Sequence, residues 1–350
     1  MAADADSVEL PPTGLDLAKL TEFVDTERPG FRTGPLGAKL IAGGRSNLTY
    51  RINDDDAQWV LRRPPLGHVL ETAHDMSREY RVMSALSGTS VPVPTMVAQC
   101  QNPDVMGAPF YLMEFVDGTI LRDKAQLDVL GAPEADRLGE AVIETLVNLH
   151  GVEPQALGLG DFGRPDGYLR RQIERWGKQL AASKSRELPG MDKLAERLAA
   201  TIPRSQRDSL VHGDYRLDNL VIDNDDLGTV RAVLDWEMAT LGDPLADLAS
   251  AAMWWDGIAG LDSPVAAVPG ESEAFPASSQ LVGRYAELTG FDLGRFNWYL
   301  GFAYYKMAAI FEGIHYRDQR GLTLGEGFGR IGDLVGTLIE RGHAALDDAP

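Results

Sequence analysis

The chain has 350 residues, enough for two packed lobes and a substantial core, and its hydrophobic content of 44% is ordinary for a soluble globular protein. A formal net charge of -19 argues against a nucleic-acid or anionic-membrane partner, because both require clustered Lys and Arg to replace counterions. A single cysteine, Cys100, cannot close an internal disulfide, and no Cys/His spacing suggests zinc. Met1 to Pro12 is acidic and has no positive flank followed by an apolar run, so it does not read as a secretory signal. No window reaches the length of a membrane span, and the expectation is a cytoplasmic protein.

Taken in order, Leu15 to Val24 has the spacing of a short helix. Lys39 to Ile41 and Leu48 to Ile52 read as strands around Ala42-Gly43-Gly44-Arg45-Ser46-Asn47, a turn whose glycines allow backbone amides to approach a phosphate closely. Trp59 to Arg63 is a third strand, ended by Pro64-Pro65, and alternation puts Val60 and Arg62 on one face and Trp59, Leu61 and Arg63 on the other. Arg63 reads as a surface cation.

Asp75 is a candidate N-cap for a helix in which Met76, Met83 and Leu86 share one face with Glu79 in the middle of the stripe. A carboxylate on an apolar face is costly unless a cation meets it there. Val91 to Pro94 is an extended connector, and Phe110 to Val116 reads as a buried strand running into the Asp117-Gly118 turn. Helical patterns follow at Pro133 to His150, Tyr168 to Ser183 and Met191 to Ile202, with His150 as a cap or packing residue.

From Leu210 to Leu248 the polar residues fall where apolar strands begin and end. Leu210-Val211 stops at His212-Gly213-Asp214, and Leu220-Val221-Ile222 starts directly after Asn219. The turn formers Asp223 to Gly228 lead into Val230 to Leu234, so a hairpin returns Asp235 towards the loop that holds Asp214 and Asn219. This grouping suits phosphoryl transfer. Mg²⁺ takes oxygen ligands and is usually held by one or two protein groups plus substrate phosphates, which fits Asn219 and Asp235. An acceptor hydroxyl needs an oriented carboxylate, which Asp214 supplies, and Arg216 adds positive charge near the transferred group. Asp243-Pro244 marks a helix start, with Asp243 and Asp247 read as structural residues that fix the loop carrying Asp235. Ser263 to Ser279 is rich in Pro, Ala, Ser and Gly and reads as a flap or surface loop. Trp298 to Tyr316 is an apolar helix carrying Lys306, Glu312 and His315, and Gly325 to Leu346 is the last helix.

His212-Gly213-Asp214 followed by Asn219 resembles the catalytic loop of the aminoglycoside phosphotransferase family, itself similar to the protein-kinase H-R-D-x-x-x-x-N loop, and Leu234-Asp235-Trp236 resembles its D-F-G counterpart. The phrase D-W-E-M-A-T-L-G-D-P-L-A-D-L-A is especially similar to the branch found as kinase-like domains joined to acyl-CoA dehydrogenases. The resemblance implies an α+β, bilobal protein-kinase-like fold, with an antiparallel-sheet, nucleotide-binding N-lobe over residues 1–116 and a mostly helical C-lobe over residues 117–350. It implies an ATP- and Mg²⁺-dependent phosphotransferase acting on a small-molecule hydroxyl, aminoglycoside-like or hydroxyacyl-type, with Asp214 as catalytic base, Asn219 and Asp235 as metal ligands and His212 as a prop for the loop.

The same resemblance assigns Arg62 to the phosphates, where many members carry Lys, and Glu79 as its ion-pair partner. Gly43, Gly44, Ser46 and Asn47 become the loop over the nucleotide, Met113 the gatekeeper, and the main chain of Glu114 and Val116 the contact with adenine. Arg62 in place of Lys and the incomplete glycine loop leave a second reading open, a nucleotide-binding pseudokinase with a regulatory role. A metal-dependent hydrolase using the same carboxylates is a third.

Overall fold

The computed structural model describes residues 13–41, 47–66, 75–183, 185–261, 267–321 and 328–348. Gly43, Gly44 and Ser46 lie outside the described residues. The chain divides into two compact units: residues 1–84 with 94–116, and residues 85–93 with 117–350.

The first unit opens with helix α1 (Leu17–Glu27), capped by the Asp16 carboxylate, which accepts from the amides of Ala18 and Lys19 at 3.1 Å each. Strands β1 (Gly37–Leu40), β2 (Leu48–Asn53) and β3 (Gln58–Arg63) precede helix α2 (Met76–Leu86). Strand β4 (Met96–Cys100), the short helix α3 (Pro103–Met106) and strand β5 (Phe110–Glu114) complete the unit. The strands form one sheet in the order β1-β2-β3-β5-β4, antiparallel throughout.

Alternation decides which side chains fill the core. Tyr50, Ile52, Trp59, Leu61, Phe110 and Leu112 face one cluster with Leu20 and Val24 of α1. Val60, Arg62, Tyr111 and Met113 therefore share the other face, with Arg62 directly opposite Tyr111 and Val60 opposite Met113. Asp75 caps α2 as its sequence suggests, accepting from Ser77 and Arg78 amides at 3.0 Å each. Arg63 departs from expectation: it is buried, donates to the Met106 carbonyl at 2.9 Å and also to the Gly14 carbonyl, so it ties α3 and the start of the chain to the sheet. A residue on the core face at the end of a strand finds carbonyls there as readily as water.

The second unit is mostly helical. It contains α4 (Lys124–Asp128), α5 (Ala132–Gly151), α6 (Tyr168–Ser183), α7 (Met191–Ala200), α8 (Pro244–Ala252), α9 (Ser278–Thr289), α10 (Phe296–Asp318) and α11 (Ile331–Asp347). Between α7 and α8 lie four short strands, β6 (Ser209–Val211), β7 (Leu220–Ile222), β8 (Val230–Val233) and β9 (Thr240–Gly242). β7 pairs antiparallel with β8, and β6 pairs antiparallel with β9, so one ladder is nested inside the other along the chain. The two linkers between the ladders, residues 212–219 and 234–239, must therefore run side by side. The expected flap is instead packed where it is described: Ala267, Val268, Pro269 and Phe275 are buried, the Trp255 indole donates to the Pro276 carbonyl at 2.8 Å, and the Ser278 amide donates to Asp256 at 2.7 Å.

Among the described residues no helix is long and apolar enough to cross a membrane.

Candidate active site

Each unit carries one half of the predicted residue set. In the sheet-bearing unit, Arg62 Nη1 lies 3.0 Å from Glu79 Oε2, and Glu79 is fully buried. The same carboxylate oxygen accepts from the Tyr111 hydroxyl at 2.9 Å, while Oε1 accepts from Asn47 Nδ2 at 3.4 Å. Strand register explains the meeting: Arg62 and Tyr111 oppose each other across β3 and β5, so their side chains leave the sheet on one face, where α2 presents Glu79. An ionised carboxylate in an apolar stripe survives because its two oxygens have three partners. The ion pair implied by the family resemblance is thus present, on a carboxylate that the helix stripe had marked; Tyr111 was not foreseen, since a tyrosine in an apolar strand run carries no mark of its partner.

Met113 is buried beside Val60, and Val116 is half-buried. Glu114 is exposed, and its backbone amide already donates to the Thr95 carbonyl at 2.8 Å. That N–H is engaged within the unit and is not one that an adenine would find waiting.

In the helical unit, the nested ladders bring Asp214, Asn219 and Asp235 onto the two adjacent linkers. Asn219 Nδ2 donates to the Asp214 backbone carbonyl at 2.9 Å and to Asp214 Oδ2 at 3.2 Å. Covalent geometry then turns Asn219 Oδ1 away from Asp214. The Leu234 amide donates to the Asn219 carbonyl at 2.8 Å, fastening the residue before Asp235 to the loop. Asp235 has φ 66° and ψ 61°, the one left-handed non-glycine residue among those described. Aspartate enters this region more readily than most residues, and non-glycine residues held there collect at functional sites where the surroundings enforce the conformation.

The loop is over-determined by buried groups. His212 Nε2 donates to the Leu234 carbonyl at 2.9 Å, and its Nδ1 accepts from the Asp214 amide at 3.2 Å, so one imidazole joins both linkers. Asp247, on α8, accepts from the amides of His212 at 2.5 Å and Gly213 at 2.8 Å. Behind it, His150 lies 3.4 Å from Asp247 Oδ2 and 2.8 Å from the Tyr285 hydroxyl. Burial works against ionisation of Asp247, but His150, His212 and the loop amide hold its carboxyl below the ordinary aspartate range. Asp247 therefore fixes the loop of Asp214 and not, as its sequence position suggested, the segment of Asp235; Asp243 caps α8 through the Leu245 amide at 3.0 Å and accepts from the Tyr299 hydroxyl at 2.8 Å. Gly213 has φ +86°, and a Cβ there would come within 2.8 Å of both Cβ and the carbonyl oxygen of Met238, so this position requires glycine.

Arg216 sits amid acids. Its Nε is 3.4 Å from Asp214 Oδ2, its Nη1 is 3.3 Å from Asp218 Oδ2, and its guanidinium lies over the Trp254 ring at 4.6 Å. Burial pulls its pKa down, but Asp214, Asp218 and Asp235 outweigh this and hold it above its usual value. Burial raises the Asp218 carboxyl in spite of Arg216. Asp218 and Trp254 were missed by sequence reasoning. Asp218 had a visible mark, its place inside the His212 to Asn219 run; Trp254 had none. Arg216, Asp218 and Trp254 border a cavity of about 20 Å³, room for a single water, so it is not a preformed acceptor pocket.

Among the described residues no group of three or more His, Cys, Asp or Glu is placed to hold a metal. The acid and the amide carried by the two linkers, Asp235 and Asn219, are oxygen donors of the kind that suits an ion whose shell is completed by phosphate and water. The fold is protein-kinase-like, an antiparallel-sheet unit and a mostly helical one, and with this loop it defines a kinase-type phosphotransferase. The model of the phosphotransferase enzyme family matches residues 37–296, and the chain belongs to that family.

Acyl-CoA dehydrogenase family member 11 from Gallus gallus is 35% identical over 341 residues, 93% of this chain and 43% of that protein. Family member 10 from Mus musculus is 35% identical over 315 residues, 88% of this chain and 29% of that protein. The chain thus spans less than half the length of these curated relatives. A crystal structure from Ralstonia eutropha JMP134, provisionally described as an aminoglycoside phosphotransferase, matches with a TM-score of 0.81 at 35% identity, covering 96% of this chain and 99% of that one. An aminoglycoside phosphotransferase in complex with GDP and kanamycin matches with a TM-score of 0.62 at 19% identity, covering 93% and 98%, which shows the fold alone.

Proposed function

We propose that this protein transfers the γ-phosphate of ATP, with Mg²⁺, to the hydroxyl of a small molecule. The observation that carries the reading is the pairing of the two linkers: Asn219 bonded to Asp214, and the residue before Asp235 bonded to Asn219. In this reading Asp214 orients the acceptor hydroxyl and takes its proton, and Asn219 keeps that carboxylate aimed by donating to it. Asn219 Oδ1 and the Asp235 carboxylate would hold the ion, which when bound neutralises charge on the phosphates. Arg216 offsets negative charge beside Asp214.

Arg62 would grip phosphate oxygens while Glu79 holds it in place, the guanidinium being a fork of several N–H donors. Gly43, Gly44, Ser46 and Asn47 cover the nucleotide, with Met113 as gatekeeper and the main chain of Glu114 and Val116 beside the base; for Glu114 the engaged amide leaves that role to other backbone atoms.

For the acceptor two classes are put forward, hydroxyacyl-type compounds and aminoglycosides. The curated relatives at 35% identity are named as acyl-CoA dehydrogenase family members, and a solved structure at the same identity is provisionally described as an aminoglycoside phosphotransferase. The test is product analysis by mass spectrometry after incubation with ATP and Mg²⁺ and a panel of hydroxyacyl-CoA thioesters, aminoglycosides, sugars and amino alcohols. Gain of one phosphoryl group that vanishes in Asp214→Asn is the expected result. ATP binding without transfer to any panel member would favour a regulatory nucleotide binder, and phosphate release without an acceptor would indicate a hydrolase.

A further inference from the structure

Lys306 has no part in the roles above. It lies in the middle of α10, flanked by the buried residues Tyr304, Tyr305, Met307 and Ala308, and is itself half-buried. An ammonium in such a place needs a partner. Its Nζ donates to the Gly213 carbonyl and lies 5.8 Å from the centre of the Trp176 ring on α6. The charged groups that act on it are Asp214 and Asp247, which favour the ammonium, and Arg175, which opposes it; burial prevails and pulls its pKa down.

The carbonyl it holds belongs to the peptide joining Gly213 to Asp214. The N–H of that same peptide donates to His212 Nδ1. In a trans peptide the two groups point in opposite directions, so gripping both stops rotation of the plane. The rotation matters because it changes ψ of Gly213 and φ of Asp214 together, and the second of these sets where the Asp214 side chain starts. Glycine offers little resistance of its own to such a turn. The residue that makes the tight bend possible thus also makes it loose, and the lysine corrects the looseness from a helix 93 residues away in sequence.

We propose that Lys306 is a positioning residue for the acceptor-activating carboxylate, locking the Gly213–Asp214 peptide and so aiming Asp214. This rests on reading Asp214 as the base. Two substitutions separate it from a general propping role: Lys306→Met, which removes the donor, and Lys306→Gln, which keeps a neutral one.

Residue-resolved hydrogen exchange on the full chain should show the Asp214 amide exchanging about tenfold or more faster in the Met variant, with α10 amides and Tm unchanged. In the same variant kcat should fall by about ten- to a hundredfold at unchanged ATP affinity, because the loss is one of aim and not of binding. The Gln variant should lie between on both counts. Unchanged Asp214 exchange in the Met variant, or loss of protection across α10 together with Tm, overturns the proposal. Transfer that survives Asp214→Asn would overturn the base reading and this proposal with it, whereas unchanged exchange beside an inactive Asp214→Asn overturns the role of Lys306 alone.

Discussion

In the sheet-bearing unit, Arg62 and Glu79 neutralise each other among Tyr111 and Asn47; in the helical unit, Asp214, Asp218 and Asp235 crowd a single arginine, Arg216. In the first arrangement each charge has its opposite at 3.0 Å. The second gathers three carboxylates about Arg216, with Lys306 also acting on Asp214 and Arg122 on Asp218, and holds Asp235 in the left-handed backbone region. On the proposed function, grip falls to the first unit and chemistry to the second. Substitutions should divide along the same line: losses in the first unit should appear as weaker nucleotide binding and lower stability, and losses in the second as lower turnover.

The largest effect is expected in the second unit. Asp214→Asn keeps the shape and the contact with Asn219 but removes the proton acceptor, and kcat for phosphoryl transfer should fall by roughly a hundred- to ten-thousandfold. Tm should hardly move; a full-rate Asp214→Asn enzyme would break the comparison at its stronger end.

Glu79→Ala comes next and tests the ion pair. Removing one partner leaves a buried guanidinium uncompensated, which costs about 3–5 kcal/mol, to be read from denaturant melts. Glu79→Met combined with Arg62→Met should recover much of that stability while ATP affinity stays lost. Recovery of affinity in the double variant would mean that Arg62 never touched phosphate.

Asp247→Asn probes the support beneath the loop. Its carboxylate accepts from two loop amides, and hydrogen bonds to a charged group are each worth about 1.5–3 kcal/mol. Because its folded-state pKa lies below the unfolded one, that stabilisation is complete above the ordinary aspartate value and is lost as pH falls through the folded value. Wild type and Asp247→Asn should therefore differ in Tm at neutral pH, and the difference should begin to shrink only as pH falls below the ordinary aspartate value of about 4.

Much of this was legible in the sequence because the informative contacts are short-range or periodic. Glu79 could be found from Met76, Met83 and Leu86, three neighbours on its own helix, and the β7/β8 hairpin from a run of turn formers between apolar triplets. The pairing of Arg62 with Glu79 needed the fold that the resemblance implied. Contacts that join distant segments left no local trace: Lys306 with Gly213, Trp254 with Arg216, and the line from Tyr285 through His150 to Asp247. The errors were of the same kind. Arg63 looked like a surface cation because its carbonyl partners, Gly14 and Met106, lie in other segments, and Asp247 was tied to the nearer loop when it serves the farther one.

Gly213→Ala is the smallest and sharpest of the expected effects. The left-handed φ alone costs an L-residue about 1–2 kcal/mol, and the new methyl would press on Met238, which follows Asp235 by three residues. A loss in Tm beyond the backbone cost alone should thus come with a disproportionate loss in kcat, since the strain falls on the peptide that aims Asp214 and on the segment that holds Asp235. Glycine in the first unit makes the contrast: Gly30, with φ +76° and open space around its Cβ position, should show on substitution with alanine a smaller loss in Tm, from the backbone alone, and no change in turnover. Equal effects on kcat from both substitutions would mean that turnover follows overall stability and that the division between the two units is not one of function.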